Sequence, residues 1–384
     1  MDGLRVSGGM VLLADGTMRQ EDLLASNGKF ELGCSGGGTK AALDARGLLV
    51  LPGIVDIHGD AFERQMQPRP GVGFPADVAL ADTEAQLLAN GITTAFHGVT
   101  LSWEPGLRGL DAWRTLLDAL AARPWTCDMR VHLRWEAFNL EALDTALADI
   151  AAGRVHLLAF NDHTPAILKR VGDPLTGAKY SERAGMTLAD FQALAERVGA
   201  WEARVPAALE RIGTAARAAG IPLASHDDAS VTMREAFRAL GARICEFPIE
   251  KVVGQAAREA GDWVVMGSPN VVRGGSHLGW ASAAKLAEEG ICSVLSSDYY
   301  YPAMMRAALI LAGRGTLDMA RAWALISTNP AAATGLADRG TIATGQRADI
   351  VVVDPARPSI VATIAGGRLA HLASEGAARL RLAA

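Results

Sequence analysis

Histidines, carboxylates and arginines recur in this chain at the ends of short apolar runs, two residues apart or in tight groups. His58-Gly59-Asp60 closes the run IVDIH, and side chains two apart on a strand share a face, so an imidazole and a carboxylate there can grip one cation. His132, Arg134 and Glu136 alternate along RVHLRWE, and three ionisable groups on one inward face are costly to bury unless paired or bound. VHLLAFND leads into His163, PLASHD carries Ser225-His226-Asp227-Asp228, RICEFP carries Glu246, and SVLSSD ends at Asp298. Each motif alone has a plainer reading as a hydrogen-bonded strand end or an ion-pair ladder. Their joint occurrence decides: His58, Asp60, Glu136, His163, His226 and Asp298 are nitrogen and oxygen donors without a thiolate. Such a set suits one or two divalent ions (zinc, manganese or iron) in an open catalytic site better than a closed structural one.

A second group of residues suits anions. Arg273-Gly274-Gly275-Ser276-His277 follows VVMGSPN, where two glycines can free backbone N–H groups as a phosphate nest beside a guanidinium and two further donors. Lys169, Arg170, Lys179 and Arg183 add local positive charge, Arg134 adds more within the strand set, and Arg64 and Arg69 lie in an extended Pro-flanked loop. Of these, Arg273, Gly274, Gly275, Ser276, His277, Lys179, Arg183 and Arg134 form the expected substrate and phosphate contacts. His97 and His132 lie in apolar strand texture and read as core or orienting histidines. His156 and His371 read as structural.

These groups need a scaffold that brings strand ends together. Eight candidate strands (54–58, 93–98, 130–136, 155–162, 222–227, 243–248, 264–270 and 293–298) alternate with Ala/Leu/Glu/Arg stretches long enough for helices, the pattern of βαβ units. A (β/α)8 barrel places its chemistry at the C-terminal ends of its strands, where the motifs above sit. The 67-residue step from 155 to 222 holds an insertion at about 163–205, rich in Lys, Arg and Gly at first and helical from about Leu188. It is expected to be a mobile loop that an anionic ligand orders. Before residue 50 and again near the end, short apolar runs broken by Gly and Asn-Gly predict antiparallel strands. The expected fold is α/β, a (β/α)8 TIM barrel over 51–337 with a small β-sandwich built from 1–50 plus 338–384.

The 384 residues carry a net charge of −5, which excludes a global basic field of the kind that gathers nucleic acid or anionic membrane. No run approaches the roughly 18 apolar residues of a membrane span, and no signal-peptide pattern opens the chain, so a cytoplasmic protein is expected. Cys34, Cys127, Cys245 and Cys292 form no CxxC pair and read as free thiols. The anion-binding groups make a small phosphorylated molecule the expected partner, without nucleic acid or membrane, and a homo-oligomer is compatible with the sequence.

The opening LLVLPGIVDIHGD and closing RGTIATGQRADIVVVDP resemble the amidohydrolase superfamily, metal-dependent hydrolases with a sandwich made from both chain ends. HGDAFERQMQPRPGVGFP, NGITTAFHGV, VHLRWE, FNDHTP, SHDDA, EFP, PNVVRGGSH and LSSDYYYP resemble, more closely, the PhnM family of carbon–phosphorus lyase pathways. Two departures stand out. The usual HxH motif is here His58-Gly59-Asp60, as in the PhnM branch, and Ala166-Ile167-Leu168 stands where that family often has Gly-Gln. The resemblance implies hydrolysis of α-D-ribose 1-methylphosphonate 5-triphosphate to the 5-phosphate and pyrophosphate. It also implies metal ligation by His58, Asp60, His226 and Asp298, less directly by Glu136 and His163, with Asp298 taking the proton from the attacking water.

Two alternatives stay open. A hydrolase of cyclic amides or N-acyl groups has the same fold and metals but no need for the Lys/Arg cluster. A metal-free scaffold on this fold is disfavoured by the six candidate ligands.

Overall fold

The computed structural model describes residues 3–32, 41–69, 71–275, 279 and 281–382. Five strands open the chain: β1 (Leu4–Leu12), β2 (Met18–Ser26), β3 (Lys29–Leu32), β4 (Ala41–Asp44) and β5 (Leu49–Pro52). Eight follow in the middle: β6 (Ile54–Gly59), β7 (Ile92–Leu101), β8 (Asp128–Glu136), β9 (Leu157–Asn161), β10 (Leu223–His226), β11 (Ile244–Glu246), β12 (Trp263–Gly267) and β13 (Val294–Ser296). Four end it: β14 (Ile350–Asp354), β15 (Ser359–Ala365), β16 (Arg368–Leu372) and β17 (Leu380–Leu382).

Strands β6 to β13 form one eight-stranded sheet in chain order, every neighbouring pair parallel. β6 and β7 are buried at every position, as a parallel strand covered on both faces must be, and their β-branched residues suit that. The sheet closes where Gly59 and Asp298 form a parallel bridge. At the same seam the buried Asp56 accepts from the Ser297 N–H at 3.0 Å and from its hydroxyl at 2.5 Å. The fold is thus an α/β barrel, and all eight expected strands are present.

Strands from both ends make a second, nine-stranded sheet in the order β16-β15-β14-β5-β1-β2-β3, with β4 and β17 joined through β1. The segments LRVSGG and MVLLADG, expected as separate strands, are one strand with a bulge between Val6 and Gly9. β1 thereby pairs with β4 before the bulge and β5 after it, and the sheet wraps a core that includes Val6, Phe30, Leu43 and Val352. Gly9 is obligatory there, since a Cβ would stand 2.5 Å from Val50 Cγ2. The expected Asn-Gly turn is found: Asn27 and Gly28 both have positive φ, the turn that matches strand twist. The Trp323 indole donates to the Pro52 carbonyl at 2.9 Å and Thr363 to the Leu88 carbonyl at 2.7 Å, which fastens this sheet to the barrel.

The insertion differs from expectation. It is folded from its first residues into helices Thr164–Arg170, Pro174–Ala184 and Leu188–Gly199. Prolines sit at the first turns of the first two, Asp173 caps the second by accepting from Thr176 N–H at 2.8 Å, and Gly185 closes it with φ 66°. What read as a polar loop is therefore punctuated helix. Ile167, Val171, Ala184, Phe191, Ala195 and Val198 form a core of their own against Trp103 and Phe138. That core removes the warrant for a segment held only by ligand.

Candidate active site

The C-terminal ends of β6, β8, β10, β11 and β13 converge on one rim. His58 ends β6 with its Nδ1 3.0 Å from Glu246 Oε2, at the end of β11. His132 on β8 has Nδ1 3.0 Å from the Ile57 carbonyl, which can only accept, so Nδ1 carries the proton and Nε2 a lone pair. That lone pair lies 3.7 Å from the same Glu246 oxygen, with no hydrogen-bond partner of its own. Burial pushes His132 down to about 3 and drives Glu246 upward, so neither group carries charge easily here.

His226 ends β10 and lies between two groups. With His58 and Glu246 it forms one set of donors close enough to hold a metal ion, and with His163 and Asp227 a second. Its Nδ1 is 3.3 Å from Asp227 Oδ2 without a hydrogen bond, and His163 Nε2 is 3.5 Å from that oxygen. Burial pushes His226 down to about 4. Burial acts the same way on His163, but its contacts with Asp227 and Glu136 prevail and raise it to about 9. Burial also acts to raise Asp227, yet His226 and His163 hold it well below the carboxylate range.

Asp298 follows β13, and its N–H donates to the His58 carbonyl while its own carbonyl accepts from Asp60 N–H, both at 2.9 Å. Burial and the neighbouring Asp60 charge raise its carboxyl to about 7, and burial raises Asp60 as well. Arg134 is the resident cation: its guanidinium reaches His226 Nε2 at 3.1 Å and Asp60 Oδ2 at 3.6 Å while only 7% exposed. Asp227, Phe247 and Asp298 all have positive φ, and with Asn27 they are the non-glycine residues that do so among the described residues. Backbone held in that region clusters where side chains must be aimed at a site.

His58, Asp60, Arg134, His226 and Asp298 line one cavity of about 260 Å³, together with Arg273 and Gly275. Glu136 and His163 line another cavity of about 270 Å³, and His163 touches Asp227 in the wall of the first. Glu136, expected as a ligand, is engaged otherwise. Its Oε1 accepts from Thr164 N–H at 3.1 Å, Thr164 hydroxyl at 2.7 Å and His163 N–H at 3.2 Å, so it anchors the start of a helix whose orphan donors need an acceptor. Gly274 and Gly275 do not form the expected nest: their N–H groups donate to the carbonyls of Val271 and Asn270 and close the helix Ser268–Arg273. Asn270, read as strand, belongs to that helix. Ser276 and His277 lie outside the described residues.

The expected cluster of Arg273 with Lys179 and Arg183 is divided. Arg273 is exposed on the rim of the first cavity with Nη1 donating to the Tyr299 hydroxyl at 3.2 Å. Lys179 and Arg183 line a third cavity, of about 320 Å³, with Arg69 and Glu63, and Arg183 is ion-paired to Glu104. Arg64 donates to the Tyr299 carbonyl.

The expected ligand set left out Glu246 and Asp227, although both stand in the strand-end motifs. Glu246 was visible as the last polar residue of a strand. Asp227 was not, because alternation points it away from His226; only its left-handed backbone turns it back. The donor set fits a divalent ion on chemical grounds. His226 Nδ1, His132 Nε2 and Glu246 Oε1 are buried polar atoms without a hydrogen-bond partner, and His226 and Glu246 belong to one set of donors with His58. Cys127, Cys245 and Cys292 are buried free thiols, raised by burial and remote from metal chemistry.

Comparison with known proteins adds to this geometry. A model of the amidohydrolase family matches residues 175–376. The chain is 33% identical over 319 residues, 81% of its length and 84% of the relative's, to alpha-D-ribose 1-methylphosphonate 5-triphosphate diphosphatase of Escherichia coli (strain K12). Among solved structures, dihydropyrimidinase from Brevibacillus agri NCHU1002 superposes with a TM-score of 0.66 at 14% identity, covering 97% of this chain and 95% of that one. An adenosine deaminase from Xanthomonas campestris with bound zinc gives 0.66 at 14%, covering 97% and 93%. At that identity these two likenesses concern the fold alone.

Proposed function

The chain belongs to the amidohydrolase superfamily and, within it, to the PhnM family, and from that premise we propose that it hydrolyses α-D-ribose 1-methylphosphonate 5-triphosphate to the 5-phosphate and pyrophosphate. The observation that carries this reading is the guanidinium charge at the rim. A cavity with His58, His226, Asp60 and Asp298 has Arg273 in its own wall, and the charge of Arg108, in the wall of another cavity, acts on Asp60. A neutral amide substrate needs no such cations, whereas a triphosphate needs several charges neutralised as the leaving group departs.

His58, His226 and Glu246, or alternatively His163, His226 and Asp227, would hold a divalent ion, the two sets sharing His226, with Asp60 and Asp298 beside them. The chemistry such an ion supplies is positive charge against phosphoryl oxygens and a lower pKa for water. The chain's own residues do the rest. Asp298, with a carboxyl raised to about 7, exchanges a proton near neutrality and is the acceptor for the proton of the attacking water at its Oδ atoms. Arg134 keeps the buried carboxylate of Asp60 compensated and fixes the His226 ring. Phe247, Pro248 and Met266 line the same cavity and exclude water from the sugar side.

The test is product analysis on metal-loaded protein given the ribose triphosphate, with orthophosphate and pyrophosphate resolved. Pyrophosphate and the 5-phosphate in equal amounts are expected. Stepwise orthophosphate, or carboxylate released from cyclic amides with no action on the triphosphate, would overturn the reading.

A further inference from the structure

The cavity beside the metal-lined one has features that no role described so far uses. Thr100, near the end of β7, is 4% exposed, lines this cavity, and its hydroxyl has no hydrogen-bond partner. A buried hydroxyl left unsatisfied costs about 1–3 kcal/mol, so such a group in a cavity wall points to a ligand that completes it. Arg108 and Arg170 line the same cavity, and among the described residues neither side chain makes an ion pair or a hydrogen bond. The acids nearby are already engaged. Glu104 pairs with Arg183, and Glu136 receives three donors at the helix start. Arg170, which has no counter-charge, and Arg108, whose charge also acts on Glu63 and Asp60, therefore line the same cavity as one orphan hydroxyl.

His163 in the wall of this cavity approaches Asp227, in the wall of the first cavity, at 3.5 Å. Arg108 also faces the third cavity beside Glu63, whose N–H donates to the Asp60 carbonyl at 3.0 Å.

We propose that this second cavity is an oxyanion subsite for the terminal diphosphate of the substrate, with Thr100 Oγ1 donating a hydrogen bond and Arg108 and Arg170 supplying charge. The inference rests on the triphosphate reading above and deepens it. It sets the leaving pyrophosphate on the side of the insertion, and the ribose and its phosphonate in the first cavity, beside Asn270 and Arg273. Arg273 is then a contact for the retained half of the substrate rather than for the leaving group.

The experiment is calorimetric titration of inorganic pyrophosphate into metal-loaded full-length protein, with ion content measured before and after. Parent, Thr100→Val, Arg108→Ala, Arg108→Lys and Arg273→Ala are compared. Loss of one neutral hydrogen bond should weaken binding about 3- to 10-fold in Thr100→Val, and loss of a charged one about 10- to 100-fold in Arg108→Ala. Arg108→Lys should fall between parent and Arg108→Ala. Arg273→Ala should bind pyrophosphate as the parent does. Because Thr100 and Arg108 side chains have no partner, unchanged thermal melting is expected and separates lost contact from lost fold. Parent-like binding by Thr100→Val and Arg108→Ala, loss of binding in Arg273→Ala instead, or no binding by the parent would each overturn the subsite. None of these outcomes bears on the product assay, which judges the reaction separately.

Discussion

Asp298 and His58 are joined directly across the barrel seam: the Asp298 N–H donates to the His58 carbonyl at 2.9 Å, so the last strand's carboxylate is indexed to the first strand's imidazole. The proposed proton acceptor and a proposed metal-binding residue, from opposite ends of the sheet, are thus linked by one backbone hydrogen bond. A side-chain change at 298 leaves that bond intact.

Asp298→Asn should therefore fold and keep its seam while losing the proton acceptor. A general base contributes about 10²- to 10⁴-fold, and kcat should fall by that order. Steady-state kinetics with melting temperature as control checks it. Near-parental turnover with metal retained would remove Asp298 from the mechanism.

Glu246 and Glu136 should separate cleanly. Glu246→Gln replaces a buried carboxylate facing two imidazoles and should lower the ion content per chain after dialysis. Glu136→Gln should keep its ions and lose about 1 kcal/mol of stability, the usual scale of a lost helix-start acceptor. Elemental analysis beside urea unfolding distinguishes them, and equal ion loss in both would return Glu136 to the ligand set.

How much of this was legible beforehand depends on the kind of signal. The eight strands could be found because each is an apolar run bounded by turns, and His58, His226 and Asp298 because they end such runs. Asp227 escaped because its orientation depends on one backbone angle, φ 57°, which alternation does not encode. The first two helices of the insertion escaped because its Lys, Arg and Gly content reads as loop, although Pro165 and Pro174 each stand in a helix's first turn, where proline is a start signal. Gly274-Gly275 was ambiguous in principle, since a helix stop and an anion nest need the same residue; the preceding helix decides between them.

The insertion should resist proteolysis with or without pyrophosphate, because its own core holds it. Phe191 is fully buried between Trp103 and Tyr180, and Phe191→Ala should cost about 3–5 kcal/mol and open this segment first. Mass spectrometry of early fragments reads this. Ligand-dependent protection of the parent segment would revive a mobile lid.

Acid should destabilise the fold through His97. Its ring is buried, Nε2 has no partner, and burial pushes its pKa down to about 4 from an unfolded value of 6.5. The unfolded chain then binds one more proton between those values. The neutral ring's contribution is complete above pH 6.5 and is lost on going down to pH 4, at about 1.4 kcal/mol per pH unit. In His97→Leu the dependence of the urea midpoint on pH over this window should be shallower by about one proton. An unchanged slope would contradict the assignment.

Arg134 carries a consequence for how the rim tolerates its acids. Several carboxylates converge on the rim, and burial alone would keep them protonated. The guanidinium held between Asp60 and His226 is a countercharge built into β8. The polypeptide itself thus carries part of the charge balance of its own rim, whatever else is bound there.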